Sequence, residues 1–485
     1  MRFNNFMSIE KENNRMVKKF TFRLLMFVLL PVCSCINSSN AKLVVRQEKA
    51  EKIKWFTDAR FGMFIHWAPS SVYGKEISWS RGGHPPDSWN KGGSIDSSLY
   101  DNSFKIFNPT KYNPKEWVKL AKDAGMKYMV ITTRHHDGFS MFDTKYSEFK
   151  ITNPEGAYRK WIAEQNPEFT AREINQRTDI VRQFADAVHE AGIGLGFYYS
   201  EPDWVREDYR IALTGKDLKG KSVSDPVQKA AEKSYQEFMY NQLNELTTQY
   251  GRVDLIWFDA IKPAQVKDLG MKAIWIQERT LEMLRKNQPD ILIDDRTGFK
   301  PDFITNEVRD TRYIPDLVTE SENKLGDPYW SYSPGGTSKS SQWIIDRLII
   351  NAGNNSNLLL NIGPGPEGEI PQMYIPCLLE TGKWLSSYGE AIYGTHGGPF
   401  FNQYWGVSTF IVNKVYLFLE QLNNEDLVLP ALNQSVISAH MYADDKEIEF
   451  NQGRDTIRLK LAESIKKTNN RILVLEFNSS LEATR

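Results

Sequence analysis

Cysteine is scarce in this sequence, with only three among its 485 residues. Cys33 and Cys35 both lie in an apolar N-terminal segment, so the rest of the chain keeps the single thiol of Cys377. One thiol excludes a disulfide framework and a thiolate zinc cluster, and we expect no Cys-His nucleophile pair. The chemistry of this chain must therefore come from other side chains.

An excess of charge of either sign is also missing. The 60 Lys and Arg residues balance 61 Asp and Glu residues, giving a net charge of -1. A polyanionic partner such as nucleic acid is therefore not expected. Aromatic residues, in contrast, make up 12% of the chain, and many tryptophans and tyrosines stand beside charged residues. This pairing is typical of sugar-binding clefts, although a large core would explain it almost as well.

The N-terminus resembles a signal for export. The stretch "MVKKFTFRLLMFVLLPVCSC" (16–35) has a basic start, an apolar run too short to cross a membrane, and small residues before Cys35. We predict a bacterial lipoprotein signal peptide over residues 1–35, with Met16 as the true start, and a polar linker over 36–50. The mature chain would be periplasmic or on the cell surface, lipid-anchored to the outer membrane through Cys35. A plain secretory signal is the alternative.

Strand-like and helical patterns alternate from about residue 50 to 365. Six continuous apolar runs predict strands, and these are 61–67, 128–136, 192–200, 253–259, 291–296 and 357–363. Apolar strands alternating with helices indicate a parallel sheet covered by helices. Two weaker runs, 302–307 and 329–333, bring the count to eight. We predict a (β/α)8-like TIM barrel over residues 51–390.

Polar side chains stand at the ends of these predicted strands. They include three histidines, an aspartate and an arginine, namely His66, His135, His136, Asp259 and Arg296. The carboxyl ends of barrel strands converge on one mouth, where catalytic groups gather. An open sheet with a nucleotide site is less favoured, because no glycine-rich phosphate motif follows the first strand.

The pattern of apolar residues changes near the C-terminus. Short alternating runs such as "VSTFIVNKVYLFLE" and "NRILVLEF" are parted by Asn, Asp and Gly. Such runs predict short strands joined by turns. We predict an antiparallel β-sandwich over residues 391–485.

A metal centre is one way to use three histidines. Metal hydrolases built on barrels often carry an H-x-H pair on the first strand, whereas this chain has only His66 there. His135 and His136 are adjacent, and neighbours on a strand point to opposite faces unless the chain has already turned. We therefore expect no metal ion and no other cofactor, with a metal-dependent hydrolase as the rival hypothesis.

Paired carboxylates are the other route to catalysis. Retaining glycosidases use a nucleophilic carboxylate and an acid/base carboxyl roughly 5–5.5 Å apart. Asp259, rigidly placed after Trp257 and Phe258, suits the nucleophile, although an ordinary cap of the next helix is the simpler interpretation. Its partner stays open among Glu307, Glu320 and Glu322, each of which could equally be a solvated loop residue.

Six motifs in a constant order resemble those of the α-L-fucosidase family, glycoside hydrolase family 29. They are "FGMFIHW", "ITTRHHDGFSMFDTKYS", "GFYYSEPDW", "VDLIWFDA", "DDRTG" and "NLLLNIGPGPEGEIP", spread over residues 55 to 370. The resemblance implies a retaining exo-glycosidase that releases terminal α-L-fucose from a fucosylated oligosaccharide or glycoconjugate. A barrel followed by a β-sandwich is also implied.

The resemblance also implies a role for each matching residue. Asp259 would be the nucleophile, and Trp257 would help to wall the pocket. The residues that would bind the sugar are His66, His135, His136, Tyr199 and Arg296.

The chain departs from the family pattern in three places, and the first is an H-W-G stretch that becomes His66-Trp67-Ala68. An E-W-Y stretch that contributes a glutamate and a tryptophan to sugar binding becomes "ISWS" (77–80), so Trp79 carries over but the glutamate is missing unless Glu76 substitutes. A related sugar such as galactose is therefore an alternative substrate. The acid/base falls in a poorly matching region, where Glu307 matches a T-P-E-like segment and Glu320 a W-E-like one. A glycan-binding protein with a degenerate site is the non-enzymatic rival.

Overall fold

The computed structural model describes residues 51–83, 93–259, 276–309, 311–401, 403–420, 426–461 and 471–481. The predicted signal peptide (1–35) and linker (36–50) lie outside these ranges. None of the helices in the described ranges combines the length and the apolar character that crossing a bilayer requires.

Eight parallel strands form one curled sheet. They are β1 (Phe61–Ile65), β2 (Tyr128–Arg134), β3 (Gly194–Ser200), β4 (Leu255–Asp259), β5 (Leu292–Ile293), β6 (Ile304–Glu307), β7 (Thr319–Lys324) and β8 (Ser356–Ile362). Their order in the sheet is β5-β4-β3-β2-β1-β8-β7-β6, so β5 and β6 are its two ends. The predicted (β/α)8-like class is confirmed.

One predicted strand was wrong. The strand that the pattern missed is β7, Thr319–Lys324, which pairs with both β6 and β8, whereas the run 329–333 forms no strand. The sequence "TESENK" hides this strand because its polar residues are buried in the sheet instead of solvated. The alternative that Glu320 and Glu322 are solvated loop residues is therefore also wrong.

Helices cover the outside of the sheet. They are a helix over residues 51–59, α1 (Ser97–Asp101), α2 (Pro114–Asp123), α3 (Ala157–Gln165), α4 (Ala171–Thr178), α5 (Ile180–Ala191), α6 (Glu207–Thr214), α7 (Asp225–Gln249), α8 (Glu278–Asn287), α9 (Ser341–Gly353) and α10 (Ile375–Tyr388). Local signals explain several ends. Asp179 caps α5 by accepting from the Arg182 amide, and α5 stops at Gly192 in the left-handed conformation.

Side chains of each strand alternate between the barrel interior and the helices. On β4, Leu255 and Trp257 belong to the interior cluster, whereas Ile256 and Phe258 pack in the larger cluster under the helices. Burial on both faces explains why the strands read as continuous apolar runs. Asp259 is the last residue of β4 and has the same parity as Trp257, so it faces the mouth.

Two antiparallel sheets follow the barrel. Their strands are β9 (His396–Gly397), β10 (Gly406–Ile411), β11 (Lys414–Leu419), β12 (Asp426–Pro430), β13 (Val436–Met441), β14 (Phe450–Gln452), β15 (Thr456–Lys460) and β16 (Ile472–Phe477). One sheet has the order β9-β10-β11-β16-β13 and the other β12-β15-β14.

Alternation on β11 shows how these sheets bury both faces. Val415 and Leu417 pack into a core shared by the two sheets, whereas Tyr416 and Phe418 join the barrel's outer cluster. The Tyr416 hydroxyl donates to Glu390, just after α10, at 2.6 Å. The larger sheet is therefore anchored to the barrel by one face.

Candidate active site

Asp259 is held by an aromatic neighbour at the end of β4. The Tyr198 hydroxyl donates a 2.7 Å hydrogen bond to Oδ2 of Asp259. Tyr198 stacks on Trp257 with ring centroids 5.7 Å apart, because the register pairs these two residues on adjacent strands. The side chain of Asp259 remains 17% exposed. It is thus oriented by protein contacts while staying open to the mouth.

Arg296 joins Asp259 to a second carboxylate. It lies in a short 3-10 turn after β5, and its Nη1 donates to Oδ1 of Asp259 at 3.2 Å. Its Nη2 lies 3.1 Å from Oε1 of Glu307, at the end of β6. The Nε of Arg296 donates to Thr305 at 3.0 Å, which fixes the plane of the guanidinium. One cation therefore spans two acids at the barrel mouth.

The surroundings push the pKa values of both acids upward. Burial raises the pKa of Asp259, while Arg296 and the Tyr198 hydrogen bond oppose the rise. Partial removal from water and the negative charge of Asp259 raise the pKa of Glu307, against the pull of Arg296. Two acids that interact in this way titrate as a pair, in which one gives up its proton first.

Glu307 and Glu320 lie at different depths of the barrel, because Glu320 pairs in register with Thr305, two residues before Glu307. Glu307 ends β6 and keeps 45% of its side chain exposed. Glu320 is the second residue of β7, is fully buried, and accepts a hydrogen bond from Tyr128, the first residue of β2. Burial raises the pKa of Glu320 to about 8. The structure brings Glu307, and not Glu320, to the mouth beside Asp259.

The three predicted histidines do meet. The ring centroids of His66 and His135 are 5.7 Å apart, and those of His135 and His136 are 4.2 Å apart. Strand β2 ends at Arg134, so the chain has turned before the adjacent pair and both rings can reach the mouth. The Nε2 of His136 lies 3.5 Å from Oδ2 of Asp259.

Each histidine ring is held through its Nδ1 atom. The Nδ1 of His66 lies 2.7 Å from Oδ1 of Asn361, and the Nδ1 of His135 lies 2.6 Å from Oγ of Ser78. Ser200 holds the third ring, with its Oγ 2.6 Å from Nδ1 of His136. Burial lowers the pKa of His66 to about 3 and that of His135 well below its usual value. These two rings are therefore neutral hydrogen-bonding groups.

Aromatic side chains complete the mouth. Trp79 lies edge-on to His136 at 5.5 Å and to Trp204 at 5.0 Å between centroids. Trp330 approaches His66 at 5.2 Å, and the guanidinium of Arg296 lies 5.0 Å from the Trp257 ring centre. Polar groups for hydroxyls thus stand beside apolar ring faces, as a sugar requires.

Tyr199 does not reach this site. Its hydroxyl donates to Gln242 on α7 at 2.9 Å, and the Arg134 guanidinium lies over its ring. The prediction for Tyr199 was therefore wrong by one residue. The side chains of a strand alternate, and the one that faces the barrel interior is Tyr198.

Sequence reasoning missed the residues that hold the histidines, namely Ser78, Ser200 and Asn361. It also left open whether Glu76 replaces the missing family glutamate. The carboxylate of Glu76 accepts from the Trp330 amide at 2.8 Å and the Ser331 amide at 3.3 Å, so it holds a neighbouring loop. Polar residues at strand ends were a usable signal for Asn361 and Ser200, whereas nothing in the sequence joined Glu76 to Trp330.

One cluster in the described residues offers ligand atoms for a cation. His135, His136 and Asp259 each supply one such atom, all within 4.8 Å of one another. Asp259 is already paired with the permanently charged Arg296, and that charge opposes a second cation at the same carboxylate. The donor set is therefore better suited to a neutral hydroxylated ligand.

Comparisons with known proteins point to one family. A sequence model of the family described as alpha-L-fucosidase matches residues 33–390. "Alpha-L-fucosidase 1" from Arabidopsis thaliana is 24% identical over 414 residues, covering 77% of this chain and 68% of that protein.

Solved structures agree with the sequence comparison. Alpha-L-fucosidase isoenzyme 1 from Paenibacillus thiaminolyticus is 28% identical with a TM-score of 0.69, covering 90% of this chain and 100% of that one. A Bacteroides thetaiotaomicron alpha-L-fucosidase, trapped as a covalent intermediate with 2-fluoro-fucosyl fluoride, is 24% identical with a TM-score of 0.70 and covers 88% of this chain and 96% of that one. The family match spans most of the chain, and it coincides with a barrel mouth that combines carboxylates, imidazoles and aromatic faces. This chain therefore belongs to the α-L-fucosidase family, glycoside hydrolase family 29, and is a glycoside hydrolase that releases fucose from glycans.

Proposed function

We propose that this enzyme is a retaining exo-α-L-fucosidase in which Asp259 is the nucleophile and Glu307 the acid/base. The observation that carries the proposal is the guanidinium of Arg296, which contacts both carboxylates at 3.2 and 3.1 Å. This arrangement holds two acids close together at the mouth, as a double displacement requires.

In the first step, an Oδ atom of Asp259 attacks the anomeric carbon of the fucosyl residue. The bond to the leaving oxygen breaks as Glu307 donates its proton to that oxygen. Arg296 and Tyr198 favour the ionised form of Asp259 against the effect of burial, and the raised pKa of Glu307 favours its protonated form. The products are a free alcohol and a fucosyl ester of Asp259.

In the second step, Glu307, now ionised, takes a proton from a water molecule. The water oxygen attacks the anomeric carbon from the face that the alcohol has left, and the ester bond to Asp259 breaks. Two inversions restore the original configuration. The Bacteroides structure described as a trapped covalent intermediate supports such an ester in a related fold.

The remaining residues of the mouth recognise the sugar. His66, His135 and His136 bind hydroxyls, and Trp79 and Trp257 provide apolar faces. Arg296 donates to Asp259 beside them. No residue of this set needs a metal ion for these roles, and we expect activity to survive chelation. Metal-dependent hydrolysis would instead be lost on chelation and restored by a divalent cation.

Azide rescue tests the two assignments separately. With an activated aryl α-L-fucoside, Asp259→Ala should lose turnover by about 10⁴-fold or more. Azide should restore turnover, and the product should be the inverted β-fucosyl azide, because one displacement replaces two. Glu307→Ala should give the retained α-fucosyl azide, because azide then replaces water in the second step. Glu320→Ala is the matched control and should give no azide product.

Other results would change the assignment. If Glu320→Ala gives the α-azide and Glu307→Ala does not, the acid/base is Glu320. If wild-type protein binds fucosides without release, the chain is a glycan-binding protein with a degenerate site. Faster release from an aryl β-galactoside than from the α-L-fucoside would instead favour a galactosidase.

We also propose that the mature enzyme is lipid-anchored through Cys35 at the periplasmic or cell surface. The basic and apolar residues before Cys35 support this location. Full-length protein expressed in a bacterial host should enter the membrane fraction, and Cys35→Ser should release it. An unchanged distribution of the variant would contradict the anchor.

A further inference from the structure

The hydrogen bonds around His66 determine which of its nitrogens carries the proton. The amide Nδ2 of Asn361 donates to the Trp330 carbonyl at 2.6 Å. The atom of Asn361 that faces Nδ1 of His66 at 2.7 Å is therefore Oδ1, which can only accept. Nδ1 of His66 must donate, so its proton lies on that side of the ring.

The second nitrogen of His66 is then an acceptor. Burial holds the pKa of His66 at about 3, so its ring carries a single ring N–H at any ordinary pH. Because that N–H is at Nδ1, Nε2 presents a lone pair. A free lone pair in a buried pocket favours a ligand that donates a hydrogen bond to it.

The orientation of Asn361 is itself fixed from behind. The amide of Asn361 donates to the carbonyl of Trp330, which belongs to the same peptide unit as the Ser331 N–H. That N–H donates to Glu76 at 3.3 Å, and the N–H of Trp330 in the preceding peptide unit donates to it at 2.8 Å. Glu76 therefore holds both peptide units of Trp330, including the one whose carbonyl selects the orientation of Asn361. This gives the residue a role although its carboxylate lies outside the sugar pocket.

We propose that Asn361 is a positioning residue that makes His66 a hydrogen-bond acceptor, so that the pocket selects a sugar with a free hydroxyl proton at the position that contacts His66. This inference rests on the proposed function, because it concerns how the same mouth recognises its sugar. It predicts that a methyl ether, a deoxy position or a fluorine at the contacted hydroxyl weakens binding, since none can donate.

Nitrogen NMR of the full enzyme labelled at its histidines tests the tautomers directly. His66 should show the pattern of a ring protonated at Nδ1 only, with its signal assigned by its loss in His66→Gln. Asn361→Ala should convert the His66 signal to a mixture of tautomers. A wild-type His66 protonated at Nε2 would overturn the role of Asn361.

Kinetics give a second readout with a matched control. Asn361→Ala should raise KM for an aryl α-L-fucoside about tenfold with a smaller change in kcat, as for a lost hydrogen bond to the sugar. Asn357→Ala removes another buried amide of β8, whose Nδ2 donates to the Phe56 carbonyl at 2.8 Å at the opposite end of the strand. The control should keep its KM, and an equal rise in both variants would overturn the positioning role.

Substrate analogues distinguish an acceptor His66 from a donor His66. At the ring hydroxyl that contacts His66, the deoxyfluoro analogue should bind as weakly as the deoxy analogue, because fluorine cannot donate. Tighter binding of the fluoro analogue would indicate a donor nitrogen and overturn the inference. Failure of azide rescue in Asp259→Ala would overturn the proposed nucleophile, whereas reversed tautomers with intact rescue would overturn only this inference.

Discussion

Tyr198 donates a 2.7 Å hydrogen bond to the carboxylate of Asp259 at the barrel mouth. The bond follows from the register of β3 and β4, which places Tyr198 beside Trp257 on the interior face. It favours the ionised carboxylate, because a hydrogen bond to a charged oxygen is stronger than one to a neutral carboxyl, and it opposes the rise in pKa that burial causes. Aromatic packing in this barrel thus fixes the position of the proposed nucleophile and favours its charged form.

Removing this hydroxyl should slow the enzyme without unfolding it. We expect Tyr198→Phe to lower kcat/KM by about 10–100-fold, the worth of a hydrogen bond to a charged group. Tyr199→Phe is the matched control, because the Tyr199 hydroxyl bonds to Gln242 on the helix side. Its activity should stay near that of the wild type. Equal losses in the two variants, measured on an aryl α-L-fucoside, would contradict the placement of Tyr198.

The pH profile should show the two acids. Asp259 must be ionised to attack, so activity falls as the pH drops through the lower pKa of the pair. Glu307 must be protonated to donate, so activity also falls as the pH rises through the upper pKa. Both values should lie above those of free carboxyls, because burial raises the pKa of each acid.

Glu307→Gln separates the acidic limb of the pH profile from the alkaline limb. With an aryl fucoside whose leaving group needs no protonation, kcat/KM of the variant should keep the acidic limb and lose the alkaline one. A profile of kcat/KM against pH measures this directly. Loss of the acidic limb instead would exchange the roles of Asp259 and Glu307.

How much of this site the sequence predicted depends on the residue. Asp259 and the three histidines were predictable because parallel strands deliver their last residues to one mouth. The role of Tyr198 was not predictable, since Tyr198 and Tyr199 are identical side chains that differ only in the face of the sheet on which they lie. Glu307 and Glu320 could not be separated, because "TESENK" lacks the apolar pattern of a buried strand, and only its pairing with β6 and β8 shows that Glu320 lies near the strand start.

Buried Glu320 should make stability depend on pH. Burial raises its pKa to about 8, above the roughly 4.3 of a free glutamate, so its stabilising contribution is complete below the lower value and is lost as the pH rises towards 8. Glu320→Gln keeps a neutral side chain throughout this window. The free energy of unfolding of the variant should therefore improve relative to the wild type by about 1–3 kcal/mol between pH 5 and 8.

Denaturant unfolding at several pH values measures this difference. Glu282→Gln, on the exposed side of α8, is the control and should show a constant difference across the same range. A constant difference for Glu320→Gln as well would mean that Glu320 is ionised in the folded protein throughout.

Arg296 should be irreplaceable by lysine. A guanidinium reaches Asp259 and Glu307 with two separate nitrogens and Thr305 with a third, whereas an ammonium is a single point charge. We expect Arg296→Lys to lower kcat/KM by about 100-fold or more. The pKa of Asp259 should also rise further, because its nearest cation has withdrawn, which moves the acidic limb of the profile to higher pH.

The control is Arg285→Lys on α8, where the arginine Nη2 pairs with Asp302 at 2.7 Å. That variant should keep the wild-type profile. An Arg296→Lys enzyme with an unshifted acidic limb would show that Arg296 does not set the charge of Asp259.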